Sequence, residues 1–284
     1  QRDPITNIHI QFLQLILSPS AMQLELPEPG WNARKHSWTL VEQIQASIKA
    51  AGGWISFADY MHQALYAPGL GYYSAGATKF GAEGDFVTAP ELSPLFSQCL
   101  AQQCAQVLQE IGATTVLELG AGQGTMAAAM LLEFESLDAL PDDYYILETS
   151  ADLRERQQAL ISQQAGHLLE RVTWLDRAPP EPIRGVIVAN EVADALPVNR
   201  FVIDETQADR VSELGVTWQD DKFAYSVRPA RGVLLKNLLP VLQQENLSLA
   251  HGYTSELSQR LPAWIASIAD WLDQGVVLLF DYGF

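Results

Sequence analysis

Three glycines at alternate positions, Gly120, Gly122 and Gly124, separate the apolar run T-V-L-E-L (115–119) from the helix-forming run M-A-A-A-M (126–130). Glycine lets a ligand approach the main chain closely, and a helix that starts where the turn ends offers unpaired N–H groups. A strand, a glycine turn and a helix start in that order make a cradle for a nucleotide-type ligand. The spacing G-x-G-x-G fails the dinucleotide pattern G-x-G-x-x-G because position 125 is Thr, which argues against hydride transfer. Polar residues fall at the ends of three later apolar runs: Glu148 after Y-Y-I-L, Asp176 after V-T-W-L, and Asn190-Glu191 after V-I-V-A. Glu148 follows the glycine turn at a distance suited to a carboxylate that accepts hydrogen bonds from both ribose hydroxyls. For each of these groups a plainer role stands beside the functional one. The glycines could serve packing alone, and a strand-end carboxylate could simply be solvated.

A second polar group lies upstream. The segment G-A-T-K-F-G-A-E-G-D-F-V-T-A-P (76–90) is long for a connector, and long ordered loops tend to be lids or binding segments. Asp85, Thr88 and the following Glu91 are its polar features, with turn capping as the alternative for Asp85 and Thr88.

The elements that must position these residues follow from pattern. Thr39 with Glu42 reads as a capping box opening a helix with Leu40, Val41, Ile44 and Ile48 on one face. Ser56 with Asp59 starts a second helix. Ser93-Pro94 starts a third, with Leu95, Phe96, Cys99, Leu100, Val107 and Leu108 expected to face inward. Strands at 114–119, 144–147, 172–175 and 185–189 alternate with helices, which predicts a doubly wound parallel sheet with right-handed crossovers. Such sheets bind ligands beyond the carboxyl ends of their strands, where the polar residues above fall. Short alternating runs at 200–203, 211–218 and 223–227 predict an antiparallel meander, helices are expected at 231–244 and 255–272, and a fifth core strand at 276–280. The expected organisation is an extension at 1–21 outside the fold, an N-terminal helical and lid region at 22–112, a core at 113–198, an α+β insertion at 199–273, and the fifth strand within 274–284. Because the sequence stops directly after that strand, part of the sheet is expected to be missing or covered by another chain.

Apolar residues make up 48% of the 284-residue chain and charged residues 18%, an ordinary composition for a globular protein. A formal charge of −17, from 34 acidic and 17 basic residues, argues against nonspecific nucleic-acid or anionic-membrane binding and permits a cationic partner. No stretch approaches a membrane span. Cys99 and Cys104 read as reduced packing residues, in keeping with a cytoplasmic compartment, and the five histidines lack ligand spacing, so no metal is expected.

The stretch E-L-G-A-G-Q-G, with Glu118 two positions before the first glycine, resembles the first motif of S-adenosylmethionine (SAM) methyltransferases. Together with F-x-x-Y-M-H-Q-A-L-Y-x-P-G-x-G-Y-Y (57–73), G-D-F-V-T-A-P-E-L-S (84–93), N-E-V-A-D-A-L-P-V (190–198) and F-D-Y-G (280–283), it resembles the MidA family of SAM-dependent methyltransferases. That family is related to the mitochondrial protein arginine methyltransferase that assists respiratory complex I assembly. The resemblance implies a class I SAM-methyltransferase fold (Rossmann-like α/β), with N-terminal helices and the insertion shaping the acceptor cleft. It implies SAM as cofactor, with Gly120, Gly122 and Gly124 at its methionine end, Glu148 at its ribose, and Glu118 a further residue of the cofactor site. Asp85, Thr88 and Pro90 would close over it, and Asn190, Glu191 and Asp194 would sit near the transferred methyl. Asp176 is a further candidate for the cofactor site. The expected partner is a protein substrate, with a respiratory-complex subunit as candidate; a homodimer is compatible, and the compartment would be the mitochondrial matrix in a eukaryote. An arginine acceptor keeps its charge at neutral pH. Carboxylates would therefore have to hold it and take its proton, with Glu191 and Asp194 the first candidates and Glu91 the third. A SAM-binding assembly factor or chaperone is the rival expectation, and a dehydrogenase a distant third.

Overall fold

In the computed structural model, residues 30–73, 88–206, 210–244 and 249–282 are described. The chain divides into two compact units, residues 1–38 and 39–284. In the first, the Trp31 and Trp38 rings meet edge to face with centroids 5.7 Å apart. Helix α1, Trp31–Ala50, begins earlier than the Thr39 cap predicts.

The larger unit is built on two sheets. Five strands, β2 (Thr115–Leu119), β3 (Asp143–Leu147), β4 (Val172–Leu175), β5 (Ile183–Asn190) and β10 (Leu272–Phe280), form a wholly parallel sheet in the order β10-β5-β2-β3-β4. The order reverses at β2, which places the ends of β2 and β5 at the switch point where such sheets open a crevice. Period-two alternation divides the sheet between two cores. Val116, Tyr144, Ile146, Val186 and Val188 pack with helices α4 (Pro94–Ile111), α5 (Thr125–Ser136) and α6 (Ala151–Ala165). Leu117, Leu119, Ile187 and Ala189 face the other way, toward Ile268 of α8 (Leu261–Asp270) and toward Trp264 and Trp271. The face that α4 buries is rotated from the expected one. Ser97, Leu100, Ala101, Cys104 and Leu108 are inside, while Leu95 and Cys99 are exposed, because the small residues let α4 lie close against α5.

The second sheet is antiparallel. Strands β6 (Asn199–Ile203), β7 (Val211–Gln219) and β8 (Lys222–Pro229) form the predicted meander. Two further strands join it: β1, Ile55–Ser56, pairs with β7, and β9, Thr254–Leu257, pairs with β6. The helix expected over 255–272 is thus a strand followed by the shorter α8. Pairing with Asn199–Val202 overrides local helical preference there, and Pro262 marks where the helix can begin. A separate core of Phe201, Ile203, Val211, Leu234 and Leu238 seats helix α7 (Gly232–Gln244) on this sheet. Ile44, Ile48, Ile55 and Val216 form another beneath α1. Helix α2, Phe57–Tyr66, starts at the predicted Ser56 cap, whose Oγ accepts the Asp59 N–H at 3.0 Å. Among the described residues, no helix is long and apolar enough to cross a membrane.

Candidate active site

A cleft of about 600 Å³ opens at the carboxyl ends of β2, β3 and β5. Its walls come from the glycine turn (Gly120 to Gln123), from Glu148 to Ser150 after β3, and from Asn190 to Val192 after β5. Helix α2 and the residues after it contribute His62, Tyr66 and Tyr73, while Arg260, Trp264 and Trp271 come from around α8.

Gly120, Gly122 and Gly124 all have left-handed backbone conformations, with φ of 63°, 54° and 90°. At Gly124 a side chain is excluded twice over, since a Cβ would also sit 3.1 Å from the Gln157 Cα on α6. Gly124 caps α5, so the first turn of that helix faces the cleft.

Two buried carboxylates stand beside this turn. Glu148 Oε1 accepts the Ser150 N–H at 2.8 Å and its Oε2 accepts Gln157 Nε2 at 3.2 Å. Burial raises its pKa, opposed by those donors, by the Thr149 N–H and by Arg154. Glu118 is 1% exposed, and Tyr144 donates its hydroxyl to Glu118 Oε2 at 2.6 Å. Burial lifts the Glu118 pKa to about 7 against that hydrogen bond.

The other end of the cleft is acidic and aromatic. Glu191 takes a left-handed backbone, φ 51°, and its N–H donates to the Phe280 carbonyl at 2.8 Å. Burial raises its pKa, reinforced by Asp194, Asp281 and Glu91 and opposed by the Ala89 N–H. Asp194 sits on a 3₁₀ turn, Ala193–Ala195, just behind the wall. Its N–H donates to Asp281 Oδ2 at 3.0 Å and its Oδ2 accepts the Tyr282 hydroxyl at 2.8 Å. Its Oδ1 is buried and has no hydrogen-bond partner among the described residues. The Tyr66 hydroxyl donates to the Ala195 carbonyl at 2.7 Å. Tyr73 is pushed up to about 12, by burial first and the Asp194 charge second.

The structure therefore brings together Glu118, Gly120, Gly122, Glu148, Asn190, Glu191, Thr88, Pro90 and Glu91 as cleft residues, with Gly124 at the helix start and Asp194 behind the wall. Glu91 carries a capping duty as well: its Oε2 accepts the Thr88 N–H at 3.1 Å, holding the short helix α3 (Ala89–Leu92). Asp176 is a correction. It is exposed beside Arg177 and does not line the cleft, because β4 is the sheet's edge strand and its end lies to one side of the switch point. Asp85 lies outside the described residues. Sequence reasoning did not single out Tyr66, Tyr73, His62, Arg260, Trp264 or Gln157; the first three fall within the motif at 57–73, the only signal pointing to them.

A family model described as "Putative S-adenosyl-L-methionine-dependent methyltransferase" matches residues 99–284. A Burkholderia thailandensis protein described as a "likely methyl transferase", solved bound to S-adenosyl-homocysteine, superposes with a TM-score of 0.83 at 41% identity, covering 92% of this chain and 66% of that one. Among curated proteins, a Drosophila melanogaster protein named as a mitochondrial protein arginine methyltransferase NDUFAF7 homolog is 27% identical over 290 residues, 91% of this chain and 63% of that protein. The zebrafish NDUFAF7, with the same arginine methyltransferase name, is 30% identical over 205 residues, 62% of this chain and 48% of that protein. The chain thus spans less than two-thirds of the length of these curated relatives.

Proposed function

We propose, for a chain that belongs to the MidA-like family of SAM-dependent methyltransferases, that it methylates a side-chain nitrogen of a protein substrate, with arginine the acceptor. SAM is the cofactor, and the cleft fits it: the glycine turn leaves main chain uncovered, and the buried Glu148 lines the cleft with lone pairs to spare beside the Ser150, Gln157 and Thr149 donors. When bound, SAM supplies a methyl group already activated on a sulfonium, so the protein's task is alignment and exclusion of water. Gly120, Gly122 and the start of α5 would hold its methionine end, and Glu148 its ribose hydroxyls.

The observation that carries the acceptor assignment is Glu191 at the aromatic end of the cleft with Asp194 just behind its wall, the Asp194 Oδ1 having no hydrogen-bond partner among the described residues. A guanidinium needs carboxylate oxygens to accept its N–H groups, and Asp194 Oδ1 offers one. Its other oxygen is fixed by Tyr282, so the carboxylate is oriented before substrate arrives. Glu191, whose pKa is raised, is the proton acceptor as the nitrogen is alkylated. The names of the curated relatives support arginine. As partner we propose a protein chain, a respiratory-complex subunit being the candidate, in the cytoplasm of a bacterium or the mitochondrial matrix of a eukaryote.

Incubating the protein with methyl-labelled SAM and matched peptides carrying arginine, lysine or citrulline, then locating label by mass spectrometry, tests this. Label on arginine alone is expected, and Asp194→Ala should lose about tenfold or more of that transfer while still binding SAM in calorimetry. Label on lysine would move the acceptor. No product from any peptide or from a lysate of its own source, with SAM bound, would replace catalysis by a binding role.

A further inference from the structure

Gln157 is fully buried on α6 and does not line the cleft, yet its side-chain amide is fully engaged. Trp174 Nε1–H, which can only donate, meets Gln157 Oε1 at 2.9 Å. The Gly122 carbonyl, which can only accept, lies 3.0 Å from Gln157 Nε2, and Glu148 Oε2 lies 3.2 Å from the same nitrogen. The three partners agree on one amide orientation, and that orientation requires Glu148 Oε2 to be an acceptor. The same residue's backbone is the surface against which Gly124 packs. One side chain therefore ties together the glycine turn, the carboxylate after β3 and the indole on β4.

We propose that Gln157 is a positioning residue for the cofactor's ribose: it fixes the Glu148 carboxylate relative to the glycine turn so that the remaining Glu148 lone pairs meet the ribose hydroxyls. Glu148 retains the Ser150 and Thr149 N–H groups without it, but Oε2 loses the Gln157 amide and the carboxylate its tie to the glycine turn. A buried amide that touches both the turn and the carboxylate also transmits displacement of either one to the other. The inference rests on the ribose role of Glu148, and the two are separable by experiment.

The experiment compares S-adenosylhomocysteine with its 2′-deoxyribose analogue by calorimetry on the wild-type chain, Glu148→Gln and Gln157→Met. The wild type should prefer the hydroxylated ligand by about tenfold or more, since a hydrogen bond to a charged group is at stake. Gln157→Met should lose most of that preference by weakening the hydroxylated ligand about tenfold, while changing the deoxy ligand less than about threefold. A residue that merely supports the fold would weaken both ligands by one factor, and that result, or no change in either, overturns the proposal. Glu148→Gln supplies the reference. If it keeps the wild-type preference, the ribose role and this inference fall together; if it loses the preference and Gln157→Met keeps it, this inference falls alone. Should Gln157→Met fail to fold, Trp174→Phe removes one of the three contacts and leaves the glutamine in place. It should compress the preference by about two- to fivefold, and an unchanged preference in that variant overturns the proposal as well.

Discussion

Glu118 carries an ionisable group into a fully buried position beneath the cofactor turn, and its chemistry there is linked to folding. With its pKa raised from 4.5 to about 7, the folded chain holds a proton that the unfolded chain has lost across that window. The stabilisation is therefore complete below about pH 4.5 and declines as pH rises through about 7, by a total of about 3 kcal/mol. Urea denaturation at pH 5 and pH 8 should show that decline in the wild type and a flatter profile in Glu118→Gln, which cannot ionise and still offers an oxygen to the Tyr144 hydroxyl. Equal profiles would mean that Glu118 is not the group responsible. At this scale the sequence was legible where spacing is local: Gly120, Gly122, Glu148, Asn190 and Glu191 all reach the cleft because each terminates a strand near the switch point. Asp176 terminates a strand too. Periodicity locates strand ends along the chain but not their lateral distance from the cleft, so the edge position of β4 was hidden. Gln157 was hidden for another reason, since a glutamine inside a helix carries no local signature and acquires its partners only when α6 docks.

Between elements, a tight constraint lies at Gly185 on β5. A Cβ there would fall on the Thr115 carbonyl oxygen of β2, main chain that cannot swing aside as a flexible side chain would. Gly185→Ala should therefore cost more than about 3 kcal/mol by forcing β2 and β5 apart. Gly166, after α6, has open space around it and an ordinary helical backbone, so Gly166→Ala should stay within about 1 kcal/mol of the wild type. Chemical denaturation of both variants checks the contrast, and equal costs would overturn the argument from strand contact. The core strands and their helices were readable because buried parallel strands make apolar runs separated by amphipathic helices. Strands β1 and β9 were not readable: β1 has two residues, β9 has four, and each exists because a partner distant in sequence supplies its hydrogen bonds.

For the molecule as a whole, the formal charge of −17 favours cationic partners through a field that salt screens. An arginine-rich peptide should lose affinity by at least about threefold when ionic strength rises from about 0.05 M to about 0.5 M, whereas a neutral peptide of equal length should not. Fluorescence anisotropy titrations at both salt levels measure this, and a flat response would mean that the charge serves solubility alone. The small strand β1 has a different consequence. Ile55 pairs with Val216 and Ser56 with Gly215, and Trp54 occupies the space that any side chain at Gly215 would need. Two segments roughly 160 residues apart thus complete one sheet. They must be inherited together: a chimera that receives the insertion from one relative and the N-terminal helices from another would carry mismatched halves, whereas exchanging both as a set would preserve the sheet.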